Sequence, residues 1–119
     1  ASAILDKKLY EKESVVKVTT KEELTNKNFP EAINFSRKIS DQNKKIYQHL
    51  GIYCYQKETL KNFVSYEQSS NEQKYKLEQY RALENNIKIN VALAKTSPIG
   101  VDTEEDFLAI KKIMEYKLK

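Results

Sequence analysis

With 119 residues, 39% of them hydrophobic, the chain can enclose one small core and not two. Its 21 Lys and Arg stand against 17 Asp and Glu, a formal net charge of +4, and the basic residues are interspersed with acidic ones, so no nucleic-acid-binding tract is expected. One cysteine and one histidine exclude an internal disulfide and an ordinary zinc site, and the apolar runs are too short to cross a bilayer. A protein with no membrane insertion and a cytoplasmic location is therefore expected.

Taken in chain order, Val15 to Val18 has the β-branched density of a short strand that Thr19 and Thr20 can extend. Lys21 to Glu31 reads as a polar loop punctuated by Pro30, and Ala32 to Ile39 as a strand in which Ile33 and Phe35 share the dry face. Ile46 to Tyr55 reads as the main strand of the sheet. Its nearly continuous run Leu50, Ile52, Tyr53, Cys54, Tyr55 predicts cover on both faces, with Cys54 a buried, inert thiol.

Lys57 to Tyr66 carries Leu60, Phe63 and Val64 at helical spacing. Ser70 and Gln73 resemble a capping box for a second helical stripe through Leu77, Tyr80 and Leu83, ended by Glu84, Asn85 and Asn86. Ile87, Ile89, Val91 and Leu93 alternate as a strand does. Pro98 and Gly100 mark a turn, and Thr103 is spaced from Asp106 to cap a final helix whose apolar face is Phe107, Ile110, Ile113 and Met114. The fold class is α/β, a mixed sheet with flanking helices.

Several residues have a chemical reading beside a structural one. Asp102 follows a predicted strand and precedes a helix, where a carboxylate can meet Mg2+ or simply assist the cap. Arg37, at the end of its strand, offers a bidentate fork for a carboxylate or a surface ion pair. His49 and Tyr53, four apart, emerge on one face of a strand and suit a hydroxylated ligand, or else an edge imidazole and a core ring. Glu78 and Gln79 are solvated helix residues or polar contacts to a ligand. The tyrosines at 66, 75 and 80 fill small local cores or an association surface. No phosphate-binding glycine loop and no dinucleotide fingerprint is present.

The blocks His49-Leu50-Gly51-Ile52-Tyr53-Cys54-Tyr55, Leu77-Glu78-Gln79-Tyr80-Arg81 and Gly100-Val101-Asp102-Thr103-Glu104-Glu105-Asp106 resemble, in order and interval, the C-terminal half of the 3-deoxy-manno-octulosonate cytidylyltransferases, the CMP-Kdo synthetases. Val15-Val16-Lys17-Val18 and Phe35-Ser36-Arg37 add to the resemblance, which runs from Val15 to the C-terminus. The chain departs from the pattern at Lys38-Ile39-Ser40, where Ile-Pro is usual, at Cys54, where a small Gly is common, and at Ser97-Pro98-Ile99.

The resemblance implies a nucleotide-diphospho-sugar transferase fold, with residues 1–119 forming the sugar-binding and dimerisation half and the N-terminal CTP-binding half absent. It implies transfer of CMP from CTP to the anomeric hydroxyl of Kdo with release of pyrophosphate, for lipopolysaccharide synthesis, in a Mg2+-dependent cytoplasmic homodimer. Arg37, His49, Tyr53, Glu78 and Gln79 then become substrate-binding residues and Asp102 a metal ligand. A noncatalytic oligomerisation or sugar-binding module is the alternative.

Overall fold

The computed structural model describes residues 1–39 and 45–118, so Ser40 of the departing Lys38-Ile39-Ser40 stretch lies outside the described residues. The β-branched run near the start forms strand β1, Lys17–Thr20, the middle strand of a three-stranded antiparallel sheet. β2, Ala32–Ser36, flanks it on one side and β3, Ile46–Gln48, on the other. The register sets Val18 opposite Phe35 and also opposite Tyr47, so one row of the sheet carries three core side chains.

Two features of this sheet depart from simple alternation. Thr19 pairs with Asn34 while Thr20 pairs with Ala32, so Ile33 is the extra residue of a β-bulge and points out, 54% exposed, where the alternation predicted a dry face shared with Phe35. The expected main strand Ile46 to Tyr55 is also corrected, since β3 stops at Gln48 and lies beside β1, not in the middle. Its outer side is taken by Ser2, through Ser2 N–H to Gln48 O and Gln48 N–H to Ser2 O, both 2.9 Å. A tight turn, Ile52 N–H to Leu50 O at 2.7 Å, then carries the chain off the sheet. Ile52 and Cys54 consequently face solvent, and Cys54 is an exposed thiol, not a buried one.

The helical part follows the predicted order with shifted bounds. α1, Lys57–Ser65, buries Phe63 but leaves Leu60 and Val64 exposed. The single stripe expected from Ser70 to Leu83 is two short helices, α2 (Ser70–Tyr75) and α3 (Gln79–Glu84), because Lys76 closes α2 in the left-handed conformation at φ 53°. The cap of α2 is Ser69, whose hydroxyl accepts from Glu72 N–H at 3.1 Å, one residue ahead of the predicted Ser70. Asn85 and Asn86 end α3 as predicted, Asn86 at φ 57°.

Residues 87–93 alternate as expected, with Val91 buried and Ile87, Ile89 and Leu93 half-buried while Lys88, Asn90 and Ala92 face out. They do not form a ladder strand. The segment touches the sheet side at Glu31 and Asn90, through Ala32 N–H to Ile89 O (2.8 Å) and Val91 N–H to Pro30 O (2.9 Å). The core consists of Val18, Leu24, Ala32, Phe35, Tyr47, Leu77 and Val91, so sheet, α2–α3 junction and extended segment meet in one cluster.

α4, Glu104–Lys117, starts at the predicted Thr103–Asp106 capping box. None of its residues is buried, and Phe107, Ile113 and Met114 are exposed. Among the described residues no helix is long and apolar enough to cross a membrane.

Candidate functional site

A cavity of about 500 Å³ opens between the sheet, the 49–56 segment, α1, α3 and residues 87–92. Its floor is Val18 and Phe35, and its walls include Phe63, Ala82 and Val91, so it is apolar with a few polar groups converging on it, the usual make-up of a small-molecule site. His49, Tyr53, Glu78 and Gln79 all line it, brought together from two stretches about 25 residues apart. Arg37 and Asp102 are not among its lining residues.

The polar groups form a directed chain. Gln79 Nε2 donates to the Tyr53 hydroxyl, which lies 2.8 Å from His49 Nε2. Burial drives the His49 imidazole down to about 4, with the Ala1 ammonium adding to it, so the ring is neutral at pH 7. Burial likewise lifts the Tyr53 phenol to about 12, against the opposing hydrogen bond from Gln79. The proton arrangement that satisfies every partner has Tyr53 donating to an unprotonated Nε2, leaving the proton on His49 Nδ1. Neither group is then poised to accept a proton from a substrate near neutrality, and the arrangement suits recognition more than acid–base work.

One acceptor in this chain is unspent. Gln79 is only 8% exposed, and its Oε1 is buried with no hydrogen-bond partner among the described residues. A buried amide oxygen without a donor is costly, and a ligand hydroxyl reaching it would remove that cost. Glu78 is exposed at the mouth, where its charge helps to keep the Tyr53 and Tyr55 phenols protonated.

The rings organise the wall. Phe35 meets the His49 ring edge-on at 5.3 Å, His49 meets Tyr53 at 5.5 Å, Tyr53 meets Tyr55 at 6.1 Å and Tyr55 meets Phe63 at 5.8 Å. Sequence reasoning did not pick out Phe35, Tyr55 or Phe63 as site residues, although each fell within a segment predicted for another reason. Their convergence depends on the chain leaving the sheet after Gln48.

The two remaining candidates lie elsewhere. Arg37 donates from Nε to Tyr75 O (3.2 Å), from Nη1 to Glu13 O (3.1 Å) and from Nη2 to Lys76 O (3.0 Å), stapling the end of β2 to the N-terminal segment and the α2–α3 junction. Beneath it Lys17, fully buried, donates its ammonium to Lys12 O at 2.8 Å and to the Arg37 carbonyl, and burial lowers this amine to about 8. Asp102 is exposed ahead of α4, and its backbone N–H donates to Asp106 Oδ2 at 3.3 Å. Among the described residues no group of three or more His, Cys, Asp or Glu is placed to hold a metal ion. Arg81 pairs with Glu72. Of the tyrosines weighed for association, Tyr80 stacks on Tyr75 at 5.4 Å and donates to Phe35 O at 3.2 Å, which makes it part of the fold.

No family model matches the chain. It is 36% identical over 115 residues to the 3-deoxy-manno-octulosonate cytidylyltransferase of Paramagnetospirillum magneticum, covering 85% of this chain and 47% of that protein. The enzyme of the same name from Bartonella tribocorum is 48% identical over 69 residues, 58% of this chain and 28% of the relative. That of Rhodospirillum rubrum is 52% identical over 60 residues, 50% of this chain and 24% of the relative. A solved CMP:2-keto-3-deoxy-manno-octonic acid synthetase complexed with CTP superposes with a TM-score of 0.78 at 27% identity, covering 98% of this chain and 47% of that one. The chain thus spans less than half the length of the proteins it matches, and the α/β arrangement of an antiparallel sheet with flanking helices is that of the synthetase. In sequence and in fold alike, the family that this chain matches is that of the 3-deoxy-manno-octulosonate cytidylyltransferases, consistent with their C-terminal region.

Proposed function

We propose that this chain is the sugar-binding part of a cytidylyltransferase that moves CMP from CTP to the anomeric hydroxyl of Kdo and releases pyrophosphate, in lipopolysaccharide synthesis. The observation that carries the reading is the cavity in which the buried Gln79 and the half-buried Tyr53 and His49 form one hydrogen-bonded chain with the Gln79 oxygen left over. A polyhydroxylated sugar offers the donor that this oxygen lacks, and the ring-lined wall gives its apolar face a surface to rest on. Gln79, Tyr53 and His49 would hold the sugar hydroxyls, and Glu78 would bind or orient groups at the mouth.

Arg37 would take the sugar carboxylate by exchanging one of its three carbonyl partners. Asp102 fits as one carboxylate ligand to Mg2+ arriving with CTP, though the described residues do not make a complete cation site. The ion, when bound, supplies neutralisation of phosphate charge; this chain's own part is to orient the sugar hydroxyl and exclude water from one side of it. The CTP-binding half, absent from residues 1–119, a homodimeric assembly and a cytoplasmic location complete the proposal. In this reading the 119 residues alone do not turn over.

The test is pyrophosphate release from CTP and Kdo by a complete enzyme carrying this sequence. Gln79→Leu should raise KM for Kdo about tenfold or more while the KM for CTP stays within twofold, since of the two substrates only the sugar would meet the lost amide. Equal losses for both substrates, or Kdo turnover indifferent to Gln79, would count against the reading.

A further inference from the structure

We propose that Arg81 is a positioning residue for this cavity: its two-point pair with Glu72 and its seat on the Phe63 ring fix the first turn of α3, so that Gln79 holds Tyr53 and, through it, His49. Arg81 does not line the cavity, so whatever it does for a ligand it does through its neighbours. The geometry explains why a positioning residue is required. α3 has six residues, too few to be stable by itself, and Glu78 at its start makes no side-chain capping bond. The turn that carries Gln79 must therefore be placed by tertiary contacts.

Arg81 supplies them from two directions. Its Nε donates to Glu72 Oε2 at 2.9 Å and its Nη2 to Oε1 at 2.5 Å, tying α3 to α2 in one register. Glu72 is itself 5% exposed and steadied by Gln68 Nε2 at 3.4 Å, so leaving its carboxylate without Arg81 would strand a buried charge. The guanidinium carbon also sits 4.8 Å above the Phe63 ring, tying α3 to α1. From Phe63 the ring contacts run through Tyr55 to Tyr53, which gives Arg81 a second route to the same hydroxyl that Gln79 grips. A lysine keeps the charge but has neither the planar fork nor the stacking face.

The consequence for sugar binding rests on the proposed function; the consequence for His49 does not. The experiment is therefore run on the 119-residue chain by following the His49 ring nitrogens in long-range 1H–15N spectra, first without ligand and then with added Kdo. Wild type is expected to show one neutral tautomer with the proton on Nδ1. Arg81→Lys, with the amide signals of Val18, Phe35 and Tyr47 unmoved, should shift His49 to a mixture of tautomers and weaken Kdo binding about tenfold or more, as expected for a displaced binding group. An Arg81→Lys chain that is folded and keeps the wild-type His49 nitrogens overturns the inference. If that variant loses the sheet signals, Glu72→Gln, which keeps one hydrogen bond to the guanidinium, is read in the same way. A wild-type chain that ignores Kdo sinks the proposed function, while the His49 signals still decide the role of Arg81.

Discussion

The sheet-and-cavity region and the last helix are held by opposite means. Around β1 the side chains of Lys17, Val18, Thr20 and Phe35 are buried to 1% exposure or less, although the local sequence there is awkward, with a lysine inside and a bulge at Ile33. α4 has a complete capping box and acidic residues throughout its first turn, yet buries nothing. Tertiary packing makes the first region and local backbone chemistry makes the second. The cavity belongs entirely to the first.

The largest effect that would sharpen this contrast is in packing. Phe35→Ala should cost about 3–5 kcal/mol in chemical denaturation, whereas Phe107→Ala on α4 should cost less than about 1 kcal/mol. Comparable losses at the two positions would show α4 to be packed after all.

The contrast extends to pH. Burial depresses His49 from 6.5 to about 4, so the unfolded chain binds the proton more readily. Stability should be flat in this group above pH 6.5 and fall as the pH drops from there towards 4. The loss should be on the order of 2 kcal/mol, after allowance for the part of the ring that stays wet. Denaturation curves at pH 7, 6, 5 and 4 for wild type and His49→Gln isolate it, because the variant should lack this component.

How much was legible from sequence follows the same division. The Thr103–Asp106 cap, the Asn85–Asn86 stop and the inward alternation of Ile87, Ile89, Val91 and Leu93 were all readable, since each depends on neighbours in sequence. The end of β3 at Gln48 was not. An apolar run such as Leu50 to Tyr55 reads alike whether it continues a sheet or lines a cavity, and nothing among its own residues marks where the ladder stops. The break at Lys76 was hidden because a lysine carries no signal for the left-handed conformation it adopts. Within the candidate site, His49, Tyr53, Glu78 and Gln79 were named in advance and do meet at one cavity, but the Glu72–Arg81 pair that braces it was not. Its partners sit nine residues apart on two different helices, outside any helical repeat of the sequence.

Two smaller effects complete the set. Thr103→Ala removes the cap hydroxyl from Asp106 N–H and should loosen α4 by about 1 kcal/mol. Faster amide exchange within 104–110 should register the change, with no change at β1. Lys76→Gly relieves the left-handed backbone at φ 53° and should stabilise the chain by about 0.5–1 kcal/mol in the denaturation midpoint. A loss there would mean that the lysine side chain contributes more than its backbone costs.

The central claim, that the cavity and not α4 or the open surface receives an acidic sugar, is tested most directly by titrating Kdo into the isotope-labelled chain and mapping which signals move. The account predicts saturable shifts confined to Arg37, His49, Tyr53, Glu78, Gln79 and the rings beside them, with α4 silent. Shifts centred on α4, or none at Kdo concentrations well above those that saturate the complete enzyme, would contradict it.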